Sequence, residues 1–118
     1  MQLTELPTYL ENLAKQQRCT TYSELTSMLG LPDFDGNWSA HPLARIFENL
    51  DAEDHEHNRP FRTSAVVKKA NAGEHRIPGL GYFKSLAKLK GIRKSKNNDE
   101  VIIYATELKA LYDYYQTR

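Results

Sequence analysis

Thr21-Tyr22-Ser23-Glu24-Leu25-Thr26-Ser27-Met28-Leu29-Gly30 carries both ends of a helix in one short run. Thr21 and Glu24 form a capping-box pattern. The threonine hydroxyl can accept from the Glu24 amide while the glutamate reaches back, satisfying donors that a helix start leaves open. Gly30 supplies the stop, so a helix is predicted over Tyr22 to Leu29 with Leu25, Met28 and Leu29 turned inward. Upstream, Leu3, Leu6, Leu10 and Leu13 step by three and four and draw one apolar stripe on an opening helix that ends near Gln17, with Pro7 in its first turn. Downstream, residues 31–38 read as a turn-rich loop. A third helix is predicted from about Ser39, with Pro42 early and Leu43, Ile46, Phe47 and Leu50 on its buried face. Two helices joined by a turn make a helix-turn-helix arrangement, here with a longer loop than the tight version.

The second half begins with Thr63-Ser64-Ala65-Val66-Val67-Lys68, whose β-branched enrichment predicts a strand. Ala70 to Gly81 holds Gly73, Pro78, Gly79 and Gly81, too much punctuation for a regular element, and reads as an extended loop or wing. Tyr82 to Lys90 predicts a helix with Phe83, Leu86 and Leu89 on one side and Lys84, Lys88 and Lys90 at its edges. Gly91 to Asn98 is a basic, polar linker, and Asp99 to Gln116 reads as a helix through Leu108, Leu111, Tyr112 and Tyr115. The helix is the simplest reading of this stretch; a short strand over Val101-Ile102-Ile103-Tyr104 leading into it is the alternative, and periodicity alone does not decide. The tyrosines of this tail, Tyr104, Tyr112, Tyr114 and Tyr115, suit core packing or a homodimer patch.

The order of elements resembles that of the winged-helix domain in O6-alkylguanine-DNA alkyltransferases and alkyltransferase-like proteins. Thr21-Tyr22-Ser23-Glu24-Leu25 with Leu29-Gly30 is similar to that domain's Thr-Tyr-Gly-Glu-Leu-Ala opening, and Pro42-Leu43-Ala44-Arg45 falls where the family has its recognition helix. Arg59-Pro60, Val66-Val67 and Gly79-Leu80-Gly81-Tyr82 follow at nearly the family's spacing, so the likeness runs from about Thr20 to Lys90. It implies that Tyr22 rotates a phosphate and that Arg45 fills the gap left by a flipped base. The chain departs from the family at its nucleophile. Where the alkyltransferases carry Pro-Cys-His-Arg, this sequence has Arg62-Thr63-Ser64-Ala65. Alkyl transfer needs a soft thiolate, and Cys19 lies far from that position in sequence, so what the resemblance implies is nucleic-acid binding without transfer. The fold expected is α+β and helix-rich: one domain over residues 1–118, with a winged-helix-like core at 20–90, a small β element, and flanking N- and C-terminal helices, the latter over 99–118.

Charge points the same way. Arg59 to Lys96 holds eleven Lys or Arg against one acid, Glu74, whereas residues 1–58 hold three basic and ten acidic residues; the net +1 is a cancellation of opposed halves. A block that basic attracts polyanions. The residues expected on phosphates are Arg59, Arg62, Lys68, Lys69 and Arg76 along the strand and wing, with Lys84, Lys88 and Lys90 on the next helix. The alternative is that these charges pair with the protein's own acidic half.

That half supports a second class of function. Glu48, Asp51, Glu53, Asp54 and Glu56 predict an acidic helix end of the kind an immunity protein, antitoxin or phage inhibitor uses to cover a basic nuclease. His55 and His57 lie two apart on that helix and do not share a face, so no metal site is expected. His41 and His75 are isolated and expected at the surface or in turns. Gly79 and Gly81 match no nucleotide fingerprint. No cysteine–histidine pair, serine triad or carboxylate pair argues for catalysis, and neither a cofactor nor an enzyme activity is expected. With 40% hydrophobic and 26% charged residues, one cysteine and no long apolar run, the sequence reads as a globular cytoplasmic protein of bacterial or phage style, without membrane association.

Overall fold

Leu6, Leu10, Leu13 and Ala14 bury one face of α1 (Leu6–Lys15), and that face packs against α5 (Glu100–Gln116). Residues 1–33, 38–70 and 74–116 are described in this computed structural model; parts of the predicted first loop (34–37) and of the predicted wing (71–73) lie outside the described residues. Leu3, expected on the same stripe, instead sits in a short 3-10 turn (Leu3–Glu5) and is 44% exposed.

β1 (Thr20–Thr21) runs directly into α2 (Tyr22–Leu29). The Thr21 hydroxyl accepts from the Glu24 amide at 3.2 Å, half of the expected capping box; the Glu24 carboxylate, expected to reach back to the cap backbone, instead accepts from the Thr20 hydroxyl at 2.9 Å. At the other end Gly30 takes φ 68°, ψ 27°, and Leu31 N–H reaches the Thr26 carbonyl at 2.9 Å. That left-handed close is cheap only for glycine. Leu25 is buried as expected, but Met28 is 39% exposed.

A 3-10 turn (Trp38–Ala40) precedes α3 (Pro42–Glu56), which starts at Pro42 rather than near Ser39. Pro42 fits the first turn, where its missing N–H costs nothing. His41 is not a surface residue. It is the cap of α3: its Nδ1 accepts from Leu43 N–H at 3.1 Å, and its Nε2 bonds the Pro32 carbonyl at 2.7 Å.

The predicted strand at 63–68 is shorter than expected. Arg62–Ala65 curls into a 3-10 turn, and only Val66–Val67, β2, is extended. Polar contacts with α3 hold the curl: Arg62 N–H and the Thr63 hydroxyl donate to Asp54 and Asp51, at 2.9 and 2.7 Å. Tertiary hydrogen bonding outweighs the β-propensity of the run. β2 pairs in parallel with β1, Thr20 opposite Val66 and Thr21 opposite Val67. Because successive strand side chains point to opposite faces, Val66 enters the cluster of α1, α2 and α3, and Val67 enters a second cluster with Phe61, Tyr82, Phe83, Leu86, Ile103 and Tyr104. Leu108 of α5 packs against both.

α4 (Leu80–Ser85) begins at Leu80 rather than Tyr82 and continues as a π-helical turn over Leu86–Lys90. Val101–Tyr104 is helical, with the Asp99 carboxylate accepting from Ile102 N–H at 3.0 Å. Tyr104 and Tyr115 are buried, and Tyr112 and Tyr114 half-buried against the core, so most of the tail's aromatic surface is internal. The protein is thus a helix-rich α+β domain built around a two-stranded parallel sheet.

An ion network ties α1 and α3 to the 3-10 turn at 62–65. Asp54, fully buried, accepts from Arg59 Nε at 3.0 Å, from the Arg62 amide at 2.9 Å, and pairs with Arg62 Nε at 3.0 Å. Arg62, 3% exposed, also reaches Glu11 of α1 and Glu53 of α3, each at 3.1 Å. Removing one partner of such a network strands a buried charge. Arg62→Ala should therefore destabilise by about 3–5 kcal/mol, and Arg62→Lys should recover only part of that, because a point charge cannot serve three carboxylates. Glu11→Gln, which removes a partner about 34% exposed and leaves Asp54 and Glu53 on Arg62, should cost less than about 1 kcal/mol. Urea unfolding of the three variants checks the order, and a mild Arg62→Ala would remove the network from its central role.

Candidate functional site

α3 packs against the α4 segment, the Asp51 carboxyl of α3 accepting a hydrogen bond from Ser85 of α4. Beside that contact, with the segment before α4 as a third side, lies a cleft of about 620 Å³. One wall is aromatic. Tyr22 and Trp38 meet edge to face at 5.2 Å, Trp38 and Phe47 at 5.5 Å, and the His41 ring stacks on Trp38 at 5.7 Å. Tyr82 lines the cleft as well. Its hydroxyl bonds the Ser64 hydroxyl at 2.7 Å, and burial pushes its pKa well up.

Two glycines set the cleft's edge. Gly79 N–H donates to the Tyr22 hydroxyl at 2.9 Å, tying the segment before α4 to the first turn of α2. At Gly81 an added Cβ would lie 2.9 Å from Trp38 Nε1, so only glycine lets the indole pack against α4. Lys68, just after β2, and Lys84 and Lys88 of the α4 segment line the cleft; all three are exposed, with Glu48 the exposed acidic residue beside them.

Asp51, 2% exposed, also lines the cleft. Burial pushes its carboxyl up to about 7, against the pull of hydrogen bonds from Thr63 and Ser85 and with the like charges of Asp54 and Glu107 adding to the rise. Tyr22 is likewise pushed up to about 12 by burial, against its Gly79 bond.

The structure divides the sequence-predicted basic residues into two sets. Lys68, Lys69, Arg76, Lys84 and Lys88 are exposed, and three of them gather at the cleft. Arg59, Arg62 and Lys90 are instead engaged within the protein. Arg59 pairs with Glu53 and Asp54 at 3.0 Å each, and Arg62 is the buried hub described above. Lys90 bonds Glu107 at 2.7 Å and lies 4.6 Å from the Phe61 ring centre. Their carboxylate partners come from α1, α3 and α5; Glu53 and Asp54 lie only a few residues before Arg59 and Arg62, whereas Glu11 lies far along the chain from Arg62. Arg45 is exposed on α3, whereas Tyr22 is a half-buried cleft wall whose hydroxyl is occupied by Gly79.

The acidic set divides in the same way. Asp51 and Asp54 are buried, and Glu53 is bound to Arg59 and Arg62, leaving Glu48 and Glu56 as the exposed acids of α3 outside that network. Among the described residues no group of three His, Cys, Asp or Glu is placed to hold a metal ion, and no helix is long and apolar enough to cross a membrane. Trp38, Thr63 and Ser85 are cleft residues that sequence reasoning missed. A lone tryptophan inside a turn-rich loop was the available signal for the first. The resemblance that sets Thr63 at the alkyltransferases' nucleophile position was the signal for the second, and nothing local signalled Ser85. No family model, curated protein or solved structure matches the chain.

The Asp51 carboxyl has a measurable consequence. In the unfolded chain an aspartate loses its proton near pH 4, while the folded protein holds this one until about pH 7. Between those values the folded state binds more protons, so this group's contribution to stability falls as pH rises and is fully unfavourable above 7. Asn keeps an acceptor for Thr63 and removes the charge. Asp51→Asn should match the wild type in thermal melts near pH 4 and melt higher at pH 8, by up to a few kcal/mol of stability. A difference independent of pH would refute the assignment.

Proposed function

We propose that the protein is a non-enzymatic nucleic-acid-binding domain that holds the phosphate backbone, of DNA in the first instance, on the lysines around this cleft. The observation that carries the reading is the convergence of Lys68 with Lys84 and Lys88 at the mouth of an aromatic-walled cleft. Ammonium groups there would neutralise phosphates, with exposed Lys69 and Arg76 extending the same surface along the neighbouring loop. The cleft's volume suits a nucleotide-sized group. Rings of Tyr22 and Trp38 at its wall offer a base the apolar contact that single-stranded and unstacked bases seek.

A winged-helix-like arrangement belongs to this proposal. Its supports are the α2–α3 pair followed by β2, and a loop after β2 closed by Lys68 N–H on the Ile77 carbonyl at 2.9 Å. Thr63 stands where the alkyltransferases hold their cysteine. Its hydroxyl donates to Asp51 at 2.7 Å, and a threonine so placed has no thiolate chemistry to offer. The alternative reading, an acidic face for a basic nuclease, has less to rest on, because Asp51 and Asp54 are withdrawn into the interior and Glu53 is paired.

Fluorescence anisotropy with a labelled duplex tests the proposal. Wild-type affinity should fall several-fold or more between about 50 and 200 mM salt, and the triple variant Lys68→Glu/Lys84→Glu/Lys88→Glu should lower the salt slope by about 3 while losing most binding. Trp38, the sole tryptophan, reports from the cleft wall, and its emission should change on binding in the wild type. Absence of binding at low salt would transfer the function to a protein partner on the remaining acidic surface.

A further inference from the structure

Leu80 is the most exposed large apolar side chain among the described residues, at 64%. Single exposed leucines are ordinary, but this one is mounted in an unusual way. Both of its neighbours are tied down. Gly79 is bonded to the Tyr22 hydroxyl, Gly81 lies against the Trp38 indole, and Tyr82 is buried with its hydroxyl on Ser64 at 2.7 Å. The backbone that carries Leu80 is therefore fixed to α2, to the Trp38 turn and to the core, and the fold itself presents the side chain to solvent. Leu80, Lys84 and Lys88 also step by four along the α4 segment, and all three line the cleft with Lys68. An apolar tip with the Lys84 ammonium one α-helical turn behind it, and Lys88 beyond in the π-helical turn, spans a few base steps of a duplex.

We propose that Leu80 is a wedge that enters the base stack while Lys68, Lys84 and Lys88 hold the flanking phosphates. The inference rests on the nucleic-acid reading above and names the residue that deforms the ligand. An aliphatic side chain inserted at a base step replaces base–base contact with its own surface and loosens the stack there, which favours flexible pyrimidine–purine steps. No bond is made or broken. The lysines supply affinity that depends on salt, and Leu80 supplies affinity that does not.

Wild type, Leu80→Ala and Leu80→Met are titrated against a duplex with 2-aminopurine at a central step, reading anisotropy for affinity and base fluorescence for unstacking. The wild type should raise 2-aminopurine fluorescence on binding. Leu80→Ala should bind about tenfold more weakly, with the wild-type salt slope and no fluorescence rise, and Leu80→Met should restore both. Because the side chain is exposed, the variants should melt like the wild type. Wild-type binding without a fluorescence rise, or Leu80→Ala behaving as wild type, overturns the wedge alone. If the wild type does not bind the duplex at all, the lysine reading falls with it.

Discussion

The buried pairing of Arg62 with Asp54 is the constraint on which the rest of the structure depends. Arg62 opens the 3-10 turn that α1, α3 and α5 all contact, and its guanidinium touches carboxylates from two of those helices. A charge buried to this degree is tolerable only where every donor finds an oxygen, so the geometry of Glu11, Glu53 and Asp54 around it is narrowly defined. Fixing that turn fixes β2, because Val66 follows it directly and pairs with Thr20. The position of β1 then fixes the start of α2, and Tyr22 with it.

The cleft is a consequence of this frame. α3 is held at its far end by the ion network and at its start by the His41 cap, and it meets the α4 segment beside the cleft. What remains between them is bounded by rings on one side and by lysines at the mouth. Asp51 lies on the same face of α3 as Asp54, one turn earlier, and its burial is part of the same construction. Its Thr63 bond and the Asp54 bonds to Arg59 and Arg62 anchor one stretch of chain.

The opposed charges of the two halves thus serve two physical ends. Part of the basic block, Arg59, Arg62 and Lys90, neutralises buried or half-buried acids from elsewhere in the chain. The remainder is exposed, with Lys94 paired to Glu100 at 3.6 Å, and the three lysines at the cleft, beside Glu48, are what the proposed binding draws on. A count along the sequence adds these populations together. They differ in whether the low-dielectric interior makes pairing obligatory.

Local rules were sufficient where the determinant lies within a few residues. The Thr21 cap, the Gly30 close and the buried faces of α1 and α3 are set by neighbouring backbone and by helical periodicity, and the sequence determined them unaided. The 3-10 curl at 62–65, the burial of Asp51 and Asp54, and the division of the basic residues were decided only by tertiary structure. They depend on partners that no helix or strand period connects, some near in sequence, as Asp54 with Arg59 and Arg62, and some far, as Arg62 with Glu11 and Phe61 N–H with Glu107. An arginine on a phosphate surface and an arginine in a core are the same letter in sequence. Which one it becomes is set by the carboxylates that the fold brings to it.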